Sequence, residues 1–152
     1  MYMPLRNVCA RMRAMAAPDE QDEARRLYAI AWRAEIAPGT DQVGSVQAIS
    51  AETGQVVWNY QQRAATMALA ATGGGLVFGG DVNGRFRAFD DRTGEILWEI
   101  NLGSPVSGFP ITYAVDGRQY VAISTGFARF LELTPELHPS ANNNLFVFAL
   151  PE

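Results

Sequence analysis

The sequence predicts an all-β fold, organised as part of a β-propeller, and three observations predict it. Two stretches with one plan, ISAETGQVVW at 49–58 and FDDRTGEILW at 89–98, stand 40 positions apart, and four-stranded repeats of about that length describe propeller blades. From position 44 onward, short apolar runs alternate with turn signals, which is the grammar of strands and hairpins. A propeller closes with roughly 4–8 blades, more than 152 residues can supply at 40 per blade. The chain therefore reads as one partial propeller domain over 1–152, with a blade in 1–60, a second in 61–100 and an incomplete last blade in 101–152.

Taken in order, MYMPL opens as a strand and APDEQDEARR at 17–26 reads as an exposed polar loop. Leu27 to Ile36 fits two periods. Ala24, Leu27, Tyr28 and Ala31 fall at helical spacing, whereas Tyr28, Ile30, Trp32, Ala34 and Ile36 alternate as in a strand; the strand reading is preferred. APGTD at 37–41 ends the segment with Pro and Gly. LVFGG (76–80), RFRAFD (85–90), EILWEI (95–100), FPITYAV (109–115) and RQYVAIST (118–125) are strands. Asp81-Val82-Asn83-Gly84 closes one hairpin, and Asp116-Gly117 closes another through a turn that needs φ > 0 twice. FARFLELTPELHPSANN (127–143) reads as a long loop, and LFVFAL (145–150) as a strand buried on both faces.

The two copies share Gly44, Ala48, Thr53, Gly54 and Trp58 with Gly84, Ala88, Thr93, Gly94 and Trp98. Val46/Phe86, Ile49/Phe89, Val56/Ile96 and Val57/Leu97 keep apolar character, as core positions do. Gly54 and Gly94 can take the left-handed conformation of a tight turn, and the hydroxyls of Thr53 and Thr93 can satisfy turn amides. Small Ala48 and Ala88 leave room for a large group, expected to be the Trp of a neighbouring unit. Trp58 and Trp98 are thus read as packing residues that dock one blade on the next.

Composition narrows the function. A formal charge of −4 and a pI near 5.0 leave no basic stripe for a phosphate backbone, so nucleic acid is excluded as a partner. No segment approaches the ~18 apolar residues of a membrane span, and MYMPLRNVCARMRAM lacks a secretory apolar run. The lone Cys9 excludes an internal disulfide.

The pattern Gly-x-x-x-Ala-x-x-x-x-Thr-Gly-x-x-x-Trp at 44–58 and 84–98 resembles the tryptophan docking motif of the quinoprotein dehydrogenases that use pyrroloquinoline quinone, PQQ. MYMPLRNVC, GGLVFGGDVNGRFRAFD, GSPVSGFPITYAVDGRQYVAISTG and NNLFVFALP are similar to C-terminal segments of the PQQ-dependent alcohol and methanol dehydrogenases, so nearly the whole chain is covered. The resemblance implies the last two to three blades of an eight-bladed propeller. It implies a periplasmic parent enzyme in which PQQ, beside calcium or a lanthanide, takes hydride from an alcohol and passes electrons to a cytochrome c. The family's catalytic Asp, metal ligands and paired cysteines have no counterpart here, so the isolated chain is expected to be inactive, with open edges free to self-associate.

For cofactor contact the resemblance points to Asn7, which either approaches the quinone or caps a strand-end turn. It also points to Thr66, where the family often carries Trp. Ser107-Gly108-Phe109-Pro110 either lines the pocket or is an ordinary turn. The rival reading is a non-catalytic propeller scaffold for protein contacts, similar to the outer-membrane assembly lipoprotein. Gly73-Gly74-Gly75 is no phosphate loop, since neither Lys-Ser/Thr nor a helix follows. Asp90-Asp91 and Asp81-x-Asn83-Gly84 lack the rest of a calcium loop and read as turn acids. His138 has no partner at metal spacing and is expected to face solvent.

Overall fold

The computed structural model describes residues 1–14, 30–127 and 130–149; the polar stretch at 17–26 lies outside them. Sheet 1 has the order β1-β4-β5, from β1 (Tyr2–Arg6), β4 (Gly44–Ile49) and β5 (Val56–Gln62). Between β1 and β4 a two-stranded ribbon is inserted, β2 (Val8–Ala14) paired with β3 (Ile30–Ile36). Strand is therefore the outcome for 30–36, while β2 had no periodic signal of its own. Sheet 2 is complete, β6-β7-β8-β9, from β6 (Thr66–Ala71), β7 (Leu76–Asp81), β8 (Arg85–Asp90) and β9 (Ile96–Asn101). Sheet 3 is β10-β11-β12, from β10 (Ile111–Val115), β11 (Arg118–Ser124) and β12 (Leu145–Ala149). All named pairings are antiparallel, and the architecture is a partial propeller.

Sheets stack face to face in chain order. Val46, Ala48 and Trp58 of sheet 1 share a core with Val77 and Phe89 of sheet 2. The other face of sheet 2, with Phe78, Phe86 and Ala88, shares a core with Val121 and Ile123 of sheet 3. A third cluster, Ala34, Val43, Ala64, Ala65, Val82 and Leu133, lies where the ribbon leaves sheet 1 and residues 130–137 pack against it. Leu131–Leu133 form a short 3-10 turn.

The repeated motif folds twice in the same way. Ala48 pairs with Trp58 and Ala88 with Trp98, each followed by a register shift. The small residue thus faces the Trp of its own sheet, not that of a neighbour as expected, because the offset between them is a hairpin register. The shift also corrects a second expectation. Val57 and Leu97 are the extra residues of the two bulges and are 60% and 54% exposed, since a bulge leaves its additional residue outside the regular pleat. In both turns the Thr hydroxyl accepts from the amide two residues on, Gln55 N at 3.3 Å and Glu95 N at 3.2 Å.

Asp116 and Gly117 both have positive φ, 50° and 81°, as the hairpin required. β12 is not buried on both faces: Phe146 and Phe148 pack on sheet 2 while Leu145 and Val147 are 71% and 48% exposed. An all-apolar run does not reveal that only one face has a sheet against it. His138 is exposed. Asp90 Oδ1 accepts from the amides of Arg92 and Thr93, and Asp81 Oδ1 from those of Asn83 and Arg85.

Candidate functional site

Two features stand out: the end of the molecule where β1 finishes and β6 begins, and the seam between sheets 1 and 2. At the first, Asn7 occupies the break between β1 and the ribbon. Its amide N–H donates to Val43 O at 2.9 Å, its carbonyl accepts from Ala37 N at 2.9 Å, and its side-chain Nδ2 donates to Gln42 O at 3.0 Å. The carboxamide therefore caps the strand end; a carboxamide has a second N–H and a carbonyl oxygen, so this bond uses one donor only.

Thr66, the other residue expected to contact the cofactor, is reached through Arg6. The Arg6 Nε donates to Thr66 O at 3.2 Å, and the guanidinium carbon lies 5.1 Å from the centroid of the Phe130 ring. The Thr66 hydroxyl points elsewhere: Thr66 is 2% exposed and accepts from Gln62 Nε2 at 3.2 Å. Ser107 and Gly108 both donate backbone N–H to Ser124 O at 3.2 Å.

Gln62 belongs to a buried ionic network that sequence reading missed. Arg87 Nη1 donates to Asp81 Oδ2 at 2.7 Å and to Gln62 Oε1 at 2.8 Å, and Arg87 Nε to Glu99 Oε2 at 2.6 Å. Its guanidinium also lies over Tyr60, 5.7 Å from the centroid. Arg87 and Asp81 side chains are only 9% and 2% exposed. Burial pushes the Asp81 carboxyl up, against the pull of Arg87 and of the Arg85 and Asn83 amides. The network ties β5 of sheet 1 to three strands of sheet 2. An arginine in the alternating run RFRAFD would otherwise read as solvent-facing; the only signal was its alternation in phase with buried positions.

At the seam, Trp58 Nε1 donates to Asp91 O at 2.9 Å, and the Tyr2 hydroxyl donates to the same oxygen at 3.2 Å. Gly94, at φ +73°, lies directly over the indole: a Cβ there would sit 2.6 Å from its six-membered ring. Trp58 is 8% exposed. Trp98 meets sheet 3 edge-on, 5.3 Å from Phe148 between ring centroids, and remains 38% exposed beside an apolar cleft of about 380 Å³ that it lines with Phe78, Phe86, Val121 and Phe148.

The comparisons agree with this architecture. Residues 62–121 match the family model "PQQ: Glucose/ethanol/alcohol dehydrogenase, beta-propeller domain". A quinoprotein ethanol dehydrogenase of Pseudomonas putida is 43% identical over 88 residues, 57% of this chain and 14% of that protein. One of Pseudomonas aeruginosa is 36% identical over 118 residues, 73% of this chain and 19% of that protein. Among solved structures, a europium-containing methanol dehydrogenase superposes with a TM-score of 0.79 at 25% identity, covering 98% of this chain and 30% of that one. The chain belongs to the PQQ-dependent quinoprotein alcohol and methanol dehydrogenase family. It spans under one fifth of the length of those two quinoprotein ethanol dehydrogenases.

Family membership directs attention to what these residues could hold. A quinone bearing carboxylates asks for cations and amide donors, and the Arg6–Asn7 end offers both; the Thr66 hydroxyl, enclosed between sheets, does not face it. For a metal the donor set does not fit: among the described residues no three His, Cys, Asp or Glu side chains gather, and no step through a metal is derived. No helix among the described residues is long and apolar enough to cross a membrane.

Proposed function

We propose that this quinoprotein chain forms one wall of a PQQ site in an alcohol-oxidising enzyme of the periplasm, with its three sheets serving as successive blades, the last two to three of the ring. The observation that carries this is that Arg6, next to Asn7 in the chain, donates to Thr66 O at the start of β6, on a chain matched to quinoprotein ethanol dehydrogenases. PQQ, when bound, supplies the hydride acceptor for the alcohol. The chain's own residues orient and enclose it. Asn7 presents its carboxamide, and Thr66 supports the site indirectly, its carbonyl fixing Arg6 and its hydroxyl anchored by Gln62. Trp58 and Trp98, with Ala48, Ala88, Gly54 and Gly94, hold blade on blade.

In this reading the catalytic base, the calcium or lanthanide ligands and the surface for a cytochrome c belong to other parts of the complete enzyme. The chain alone binds without turnover and self-associates through the exposed face of sheet 3. Titration of the purified chain with PQQ, followed by quinone absorbance alongside size-exclusion chromatography, tests this. Saturable binding weakened by Asn7→Ala is the expected result. Absence of binding by any assembled form removes the cofactor role and leaves a scaffold for protein contacts.

A further inference from the structure

We propose that residues 130–137 form a latched strap, held shut over the root of the ribbon by the Arg63 guanidinium and able to open as a unit while the three sheets stay folded. The device belongs to the chain's own packing and needs no bound cofactor.

The latch is a single side chain. Arg63 Nε donates to Glu136 Oε1 at 2.6 Å and Nη2 to Glu136 Oε2 at 3.3 Å, while Nη2 also donates to Leu133 O at 3.1 Å and Nη1 to Asp41 O at 2.8 Å. One guanidinium therefore clasps the strap through a two-point ion pair and a carbonyl, and joins it to the turn at the foot of the ribbon. Isolated surface ion pairs contribute little, but two-point geometry within a network is the case that does. Among the described residues the remaining hydrogen bonds of 130–137 are internal: the amides of Leu133, Thr134 and Leu137 donate to Phe130 O, Leu131 O and Thr134 O. Besides Arg63, the strap is held by the Arg6 guanidinium over the Phe130 ring and by apolar packing. Leu133 enters the cluster with Ala34, Val43, Ala64, Ala65 and Val82, and Phe130, Leu131 and Leu137 pack against it.

Two features of the strap work against closure. Thr134 is 0% exposed and its hydroxyl has no hydrogen-bond partner among the described residues, so closing forfeits its bond to water with nothing in return. Phe130 holds φ 71° and ψ 11°, a left-handed conformation that is unfavourable for a non-glycine residue and relaxes on opening. The chain is meanwhile anchored on both sides to one loop, Gly126 N donating to Pro105 O at 2.9 Å and Ser140 N to Gly103 O at 2.7 Å. The strap can lift without disturbing those anchors. Closure that rests on one half-exposed cation, set against two local costs, is the profile of an opening that precedes global unfolding.

Native-state hydrogen exchange of the full chain tests this, reading peptides over 130–137 against peptides over 76–90 of sheet 2 at low and at high salt, with circular dichroism to verify folding. Strap amides are expected to exchange through an opening that sheet 2 does not share, and high salt should speed it by screening the ion pair. Glu136→Gln should speed strap exchange about fivefold, and Arg63→Met by a larger factor. Thr134→Val, which removes the orphaned hydroxyl at nearly constant shape, should slow it about tenfold. The salt comparison on the wild type needs no substitution and stands even where a variant does not fold. If strap and sheet 2 amides exchange in step, the segment melts only with the sheets and the inference fails. It fails equally if strap amides are unprotected in the wild type at low salt, if salt and Glu136→Gln leave their rate unchanged, or if Thr134→Val does not slow them.

Discussion

Trp58 and Trp98 hold the same place in the same motif, yet one is sealed and the other is 38% exposed. Their own hairpins are alike: each faces an alanine across the strand pair and each is immediately preceded by a bulge residue. The difference lies in what comes next along the chain. Trp58 meets a second copy of the motif, whose turn contributes the Asp91 carbonyl and the bare backbone of Gly94. Trp98 meets sheet 3, where β12 brings Phe148 edge-on and a cleft remains. A docking residue is thus half of an interface, and the motif's turn is the other half.

The seam between sheets 1 and 2 also holds the ionic network, and breaking that should have the largest effect. Arg87→Met leaves Asp81 buried without its cation and is expected to cost about 3–5 kcal/mol in urea unfolding, whereas Arg87→Met with Asp81→Leu should recover most of it. Equal losses for the single and double variants would show that the pair contributes nothing beyond packing.

The two tryptophans come next. Trp58→Ala should cost about 3–5 kcal/mol and Trp98→Ala about 1–2 kcal/mol less, since part of its surface is already wet. Identical losses would mean that the turn of the following copy adds nothing to the indole's burial.

The two turn glycines separate backbone strain from contact. Gly54 and Gly94 have φ of +70° and +73°, but a Cβ at Gly54 meets nothing within 4 Å while one at Gly94 meets the indole. Gly54→Ala should therefore cost about 1–2 kcal/mol for the left-handed backbone, and Gly94→Ala a further ~1–3 kcal/mol for displacing Trp58. Thermal melting of both variants is sufficient to compare them.

The smallest effect concerns acid. Asp90 is held below the usual carboxylate range by the amides of Thr93 and Arg92, and in the first copy its place is taken by Ser50, whose hydroxyl accepts from Thr53 N at 3.3 Å. Because the folded-state value is depressed, this contribution is complete above the ordinary carboxylate pKa of about 3.9 and is lost as pH falls through the folded-state value. Asp90→Ser should flatten the acid limb of the stability profile, measured by urea midpoints at successive pH values. An unchanged limb would count against the carboxylate's role in the turn.

Much of the fold was legible because hairpins are local. Asp116-Gly117, the Thr-Gly turns and the alternating strands are each specified within a few residues, and the offset between Gly44 and Gly84 announced the repeat. β2 escaped notice since VCARMRA has neither a clean alternation nor a turn signal. Val57 and Leu97 were misread because a bulge shifts phase without changing composition. The candidate site was less legible. Asn7 was found through family resemblance, but its bond to Gln42 spans 35 positions and the Arg6 bond to Thr66 spans 60, distances over which periodicity carries no information.

The sequence by itself determined the strands, the turns, the motif and its two copies, because these depend on side-chain alternation, on glycine's access to positive φ and on identities repeated at one spacing. Only the tertiary structure decided which tryptophan is covered, that Arg87 is buried, and that Thr66 turns its hydroxyl into the seam rather than outward. Those outcomes depend on which sheet lies against which face, and a burial decided by a neighbour's surface is not written in the strand that is buried.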